Sequence, residues 1–433
     1  MRRELGLIDL VLFNTAAVIG FRNLPLTAHT GLGSVTLWVL GAAFFFLPLA
    51  LVVAGLSRRH PAEGGLYVWA REAFGPWHGF LCGVSYVLSI LFLLPTLLLS
   101  GLTMAAVAFG FDQDKWFLIA LSLLILWGVL LANLLGLGVG KWISDSGGIA
   151  TAGVGLLLFA AGWAAWRRGG LATSGNLVPR LDWQQLNFWA QIALAYTGVE
   201  LGSVMAEEIR DPKRTITRAA WMSAVVIAAV YVGGTLSMLA LLPAERIDIL
   251  SGLVQAGQAA GTRLGWSGFP TAMALLILAS AAGSFGSWLG GGARLPFVIG
   301  LDEYLPPQFG RLHSRWGTPY LALLAEGLTC SLFLLLLTLG ENLRAAYQIL
   351  LDLTTVTSLF PFLYLFAAGW KGGFRIAALC GLAVTALSLA MAFVPPEEAV
   401  VWRHEAKLVG GCAALVWAAR MNYRYALSRK QIP

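Results

Sequence analysis

The sequence predicts an all-α polytopic membrane protein with twelve transmembrane helices, and three observations carry that expectation. Hydrophobic residues fill 58% of the 433 positions and charged residues only 12%, with a mean hydropathy of +0.75, so polar surface is too scarce to cover a soluble globule of this size. Apolar stretches recur that reach the roughly 20 residues needed to cross a bilayer core. Backbone groups in lipid must be satisfied within each stretch, which selects helices over barrel strands. Third, two ten-residue windows, AAVIGFRNLP at 16–25 and LAYTGVELGS at 194–203, align without a gap at an offset of 178 residues, matching Gly20 to Gly198 and Arg22 to Glu200. Interrupted hydrophobic segments at corresponding points of two halves are the sequence mark of a transporter's binding site.

Taken in order, the spans are expected near residues 7–29, 34–56, 77–108, 116–136, 142–166, 184–207, 219–242, 268–299, 318–340, 346–368, 374–394 and 405–424. In the first, Pro25 lacks an amide donor and disfavours helical geometry at the residue before it, so a break is expected there. Pro48, Pro95, Pro270 and Pro361 also fall inside spans, and the run GSFGSWLGGG at 283–292 sits in the eighth. Small residues of this kind serve close helix approach more often than function. The polar stretches near 167–183 and 243–267 read as loops, the second holding a short surface helix.

The net charge of +7 comes from Lys and Arg spread over short loops between apolar segments, and so reports orientation and not nucleic-acid binding. With both termini cytoplasmic, Arg2, Arg3, Arg58, Arg59, Arg210, Lys213, Arg214 and Arg218 fall inside, while Arg167, Arg168 and Arg180 are exceptions in an outer loop. No cleavable signal is expected ahead of the first span. Cys82, Cys330, Cys380 and Cys412 lie in apolar runs without CxxC spacing, so neither a disulfide nor a metal is expected. His29, His60, His78, His313 and His404 form no HExxH or paired ligand set, which argues against an intramembrane enzyme. Rings of pore-lining polar residues, which a channel needs, are not seen.

Three motifs stand in fixed order among the spans. HPAEGGLYVWAREAFGP occupies 60–76, EEIRDPKRTITR occupies 207–218, and DEYLPPQFGRLHSRWGTP occupies 302–319. Together they resemble the amino acid–polyamine–organocation permeases over essentially the whole chain. The resemblance implies a single transporter domain over 1–433 with a five-plus-five inverted repeat, 1–166 and 184–368, then two appended helices within 374–424. It also implies that helices one and six are broken at the site. The activity implied is secondary active transport of amino acids or small amines by alternating access, proton-linked or by exchange, in a cell inner or plasma membrane. A transporter-fold sensor without net transport and a polyamine or organocation exchanger are the alternatives. The partners are the substrate and the bilayer, with monomer and homodimer both open.

An unwound helix exposes amides suited to a carboxylate and carbonyls suited to an ammonium. The resemblance therefore implies that Ile19, Gly20, Phe21, Arg22 and Asn23 receive the carboxylate and that Tyr196, Thr197 and Gly198 help hold the amine; the Tyr196 ring is either an aromatic lid or a packing element. Glu200 and Gly202 complete the expected set. Arg22 departs from the family's uncharged pattern. A charge at that depth costs about 2.5 to 3.5 kcal/mol on insertion scales and is commonly functional, though snorkelling is the alternative. Glu200 occupies a position where the family often carries an acid, which some exchangers use as a gate; burial would make it proton-sensitive, and a hydrogen-bonded carboxyl tying helix six to a neighbour is the alternative. No cofactor is expected. Ser284 and Ser287 are candidate sodium ligands, and no lysine stands in the fifth-span stretch 148–155.

Overall fold

The computed structural model describes residues 3–110, 114–179, 183–249, 251–339, 343–392 and 401–430. Arg2 and Arg180, used above for orientation, lie outside them. Helices dominate: α1 (Leu7–Val18), α2 (Asn23–Ala28), α3 (Gly33–Gly41), α4 (Leu47–Arg59), α5 (Leu66–Phe74), α6 (Pro76–Phe109), α7 (Lys115–Leu134) and α8 (Leu137–Gly169) make up the first half. The remainder comprises α9 (Trp183–Ala195), α10 (Leu201–Val204), α11 (Pro212–Leu241), α12 (Gly252–Leu264), α13 (Phe269–Gly292), α14 (Arg294–Leu301), α15 (Tyr320–Leu339), α16 (Leu343–Lys371), α17 (Arg375–Ala392) and α18 (Val401–Lys430). Among the described residues, nine helices are long and apolar enough to cross a membrane. The other three expected spans fall on the discontinuous pairs α1/α2 and α9/α10 and on α18, which carries Arg420, Arg424 and Arg429.

Both interruptions fall at the glycines that the sequence matched. Helix α1 stops at Val18 and winding resumes at Asn23; α9 stops at Ala195 and winding resumes at Leu201. The first break lies upstream of Pro25, which corrects the expectation that the proline itself breaks the helix. Pro25 is the third residue of α2, in a first turn whose amides have no intrahelical partner to lose. Pro48 acts differently. A π-helical turn at Ala42–Phe46 precedes it, and the widened turn accommodates the ring while α3 and α4 continue as one span.

Large apolar side chains such as Leu124, Leu156, Val225 and Leu275 point outwards and are exposed, as expected of lipid-facing positions. Inside, α8 and α13 cross at Gly147 and Gly283, where a methyl on either would strike the other's backbone. At one end of the molecule four segments converge. Leu5 forms a parallel bridge with Ile209, the amide of Gly64 donates to the Val204 carbonyl at 3.1 Å, and Tyr67 and Arg71 both donate to the Asp302 carboxylate. Gly64 and Gly65 take φ of +100° and +45°, a conformation that glycine adopts freely, and turn the chain into α5.

Candidate functional site

The two breaks lie side by side. A Cβ on Gly198, which takes φ +123°, would stand 3.0 Å from the Val18 side chain and 3.2 Å from the Trp288 ring. Helix ends leave carbonyls and amides without intrahelical partners, and aromatic side chains from neighbouring helices take up several of them here. Trp288 Nε1 on α13 donates to the Ala17 carbonyl at 2.8 Å. Tyr231 on α11 reaches both breaks: its hydroxyl lies 2.7 Å from the Val18 carbonyl and 3.1 Å from the Ala195 carbonyl, and it accepts the amide of Gly20 at 3.1 Å and Asn23 Nδ2 at 3.3 Å. Trp38 stacks on its ring at 4.2 Å and 6°.

In the first break, Ile19 and Phe21 are buried. The Ile19 amide returns to the Thr15 carbonyl and the Asn23 amide to the Gly20 carbonyl. The amides of Phe21 and Arg22 have no acceptor among the described residues. Half-buried Arg22 turns its guanidinium towards α6, where Nη1 donates to Thr96 Oγ1 at 3.0 Å. Ile19, Gly20, Phe21 and Arg22 line a cavity of about 30 Å³ together with Ser284 and residues of α6 and α13. That volume suits a few waters and not an amino acid. Ser284 Oγ is buried there without a hydrogen-bond partner among the described residues, whereas Ser287 Oγ donates to the Gly283 carbonyl at 2.9 Å.

The second break is held from within. Glu200 is fully buried, and its carboxylate accepts the Gly198 amide at 2.8 and 3.0 Å and the Tyr86 hydroxyl at 2.6 Å. It therefore caps its own helix break, while Arg22 is engaged by Thr96. Tyr196 is fully buried, donates to the Trp38 carbonyl at 3.0 Å, and stacks on Phe46 at 4.8 Å. Its ring is an internal packing element. The amide and hydroxyl of Thr197 both return to the Leu194 carbonyl. At Gly202 an added Cβ would stand 2.9 Å from Leu10, so this glycine permits the close approach of α10 to α1. None of these second-break residues lines the cavity at the first.

Several residues of this constellation are not legible as site residues in the sequence. Tyr231, Trp38, Tyr86 and Trp288 are aromatic residues in apolar helices, with no local mark of their partners. Lys141, seven residues before the stretch searched for a fifth-span lysine, lies 3.6 Å from Asp9 on α1. Arg294 and Glu326, by contrast, carried a usable signal. Each is an ionisable side chain inside an expected span, a placement commonly tied to function.

Comparison with known proteins agrees with the geometry. A family described as amino acid permease matches residues 5–403. An uncharacterized transporter of Legionella pneumophila is 26% identical over 446 aligned positions, covering 96% of both chains. A probable agmatine/putrescine antiporter of Lactococcus lactis is 24% identical over 338, covering 77% of this chain and 72% of that one. An uncharacterized transporter of Mycobacterium tuberculosis is 25% identical over 336, covering 76% and 72%. With a permease profile spanning nearly its whole length and two adjoining helix breaks at its centre, the chain belongs to the amino acid permease family of the amino acid–polyamine–organocation superfamily.

Proposed function

We propose that the chain is a secondary active transporter that moves amino acids across a cell inner or plasma membrane by alternating access, with both termini in the cytoplasm. The observation that carries this reading is the first break, where the amides of Phe21 and Arg22, without an acceptor among the described residues, and a guanidinium adjoin one small cavity. Such donors suit a carboxylate. The breaks at matching positions support a five-plus-five inverted repeat over 1–166 and 184–368, followed by two further helices within 374–424. The cavity is too small for an amino acid, and substrate enters when the bundles rock apart.

Charge sets the preference. A guanidinium at the cavity repels cationic substrates and favours neutral or acidic amino acids. It also disfavours sodium at Ser284, so coupling is assigned to a proton or to exchange. Protonation of Glu200 would weaken its hold on the Gly198 amide and free that donor, which gives the second break a gate. The polyamine exchanger is the second reading, because the Lactococcus lactis relative carries agmatine and putrescine in its name. Arg22 counts against it. A sensor draws no support from a family and relatives that are transporters.

Counterflow in proteoliposomes tests the proposal with labelled glutamate, alanine, agmatine and putrescine. Exchange of the amino acids is expected, and Arg22→Gln should weaken their affinity by roughly tenfold or more, the size of one charge-assisted hydrogen bond. Exchange of agmatine or putrescine, with neither amino acid moving, would overturn the reading.

A further inference from the structure

Away from the breaks, one cation is buried among three carboxylates. Arg294, at the start of α14, donates from Nε and Nη2 to the Glu208 carboxylate at 3.1 and 2.9 Å and from Nη1 to the Gly290 carbonyl. Arg294, Glu208, Glu63 and Glu326 are each no more than 5% exposed. The bidentate pair is neutral. Glu63, in the turn before α5, and Glu326, on α15, are left over, and neither oxygen of either carboxyl has a hydrogen-bond partner among the described residues. Glu326 is aimed at the junction of α13 and α14, where a Cβ on Gly292 would stand 3.2 Å from its Oε1.

Two ionised carboxylates without donors in a dry interior cost several kcal/mol each, and such groups neutralise instead. We infer that Glu63 and Glu326 are carboxylic acids in this arrangement, a two-proton site built around the Glu208–Arg294 pair. The ligand is the proton itself, and release to water leaves a carboxylate and a hydronium. Desolvation pushes Glu63 up to about 8; Glu208 and Glu207 add to the rise, and Arg294 and the α-amino group oppose it. The charged group facing Glu326 is Arg294.

The site lies where the two broken helices meet the rest of the molecule. The amides of Glu4 and Leu5, which lead into α1, donate to the Glu208 carbonyl at 3.0 and 3.1 Å, and the Gly64 amide is clipped to Val204 at the end of α10. Withdrawal of α10 reshapes the second break and uncovers Glu63 in one movement, so opening this end admits water and discharges the site. That release step rests on the transport reading above; the protonation does not.

Infrared spectroscopy of the full chain in lipid nanodiscs separates the two, because protonated carboxyls have a C=O stretch that carboxylates lack. At neutral pH, Glu63→Gln and Glu326→Gln should each remove part of the protonated-carboxyl signal, and the part lost in Glu63→Gln should bleach near pH 8 in the wild type. Loss in both variants supports the assignment even if counterflow of glutamate and alanine is absent, in which case the transport reading alone falls. An unchanged signal in both folded variants overturns the assignment while leaving transport untouched. So does a carboxylate spectrum with a melting temperature that rises with added sodium, which would make the occupant a metal cation. Should neither variant fold, the wild-type titration decides: bleaching near pH 8 supports the site, and a protonated signal confined to the ordinary carboxylate range overturns it.

Discussion

Tyr231→Phe is the most incisive perturbation of the paired breaks. The ring keeps its stack on Trp38, so the variant removes one hydroxyl and little else. That hydroxyl accepts the Gly20 amide and donates towards the Val18 and Ala195 carbonyls. Its single proton serves one carbonyl at a time, and Val18 at 2.7 Å is the nearer. The loss therefore strands two half-buried donors, the Gly20 amide and Asn23 Nδ2, and one buried acceptor, at roughly 2–4 kcal/mol in all once the donors relax towards other partners. A local opening equilibrium at the breaks would shift by roughly 30-fold to 1,000-fold, since each 1.4 kcal/mol is about tenfold. Hydrogen exchange read by mass spectrometry should show faster amide exchange across 17–24 and 193–200, with α6 and α13 unchanged. Counterflow should fall at least tenfold while the protein still inserts. Wild-type exchange rates at both breaks, together with wild-type counterflow, would refute the idea that this side chain pins them.

Three further outcomes follow from particular contacts. Gly283→Ala places a methyl against the Gly147 backbone and should cost about 1–3 kcal/mol through helix separation, seen as a lower melting temperature in detergent. Glu208→Gln leaves the Arg294 charge buried without its carboxylate, at about 3–5 kcal/mol; the double variant Glu208→Leu with Arg294→Met should melt above it. Glu63 holds its proton more tightly folded than unfolded. The stability this contributes is complete below pH 4.5 and is lost as pH rises to about 8, at up to about 1.4 kcal/mol per pH unit, so a melting profile that is flat across this window in the wild type would contradict it.

Both breaks were legible because a glycine and a charge inside an apolar run cost too much to be incidental, and because the same pattern recurs 178 residues later. Pro25 misplaced the first by a few residues. A proline marks either the end of one helix or the first turn of the next, and the sequence alone does not distinguish them. Glu200 was legible as a buried acid, but its partners were not: its role depends on Tyr86, 114 positions away, and an aromatic in a membrane helix looks the same whether it faces lipid or a broken helix. Glu63 and Glu208 stand inside the polar motifs at 60–76 and 207–218, with nothing local to mark them as buried. Burial by α10 and α14 gives them another character, and only tertiary packing carries that information.

The short helix α10 links the two ends of this arrangement. Glu200 caps the break just before it, and Glu208, a few residues past its end, is joined to Arg294 and to the chain entering α1. Four helical residues cannot bend appreciably, so displacement at the break is transmitted to the Leu5–Ile209 bridge, and closure of that bridge holds the break in place. Bridge partners in a sheet lie about 5 Å apart, within the Cα separation a disulfide accepts. Leu5→Cys with Ile209→Cys, oxidised in proteoliposomes, should therefore arrest counterflow of glutamate and alanine, and reductant should restore it. The four native cysteines are free and buried or half-buried, and the wild type treated alike controls for them. Undiminished exchange with the cross-link complete would mean that this end does not open during transport, and the lever would then have no function.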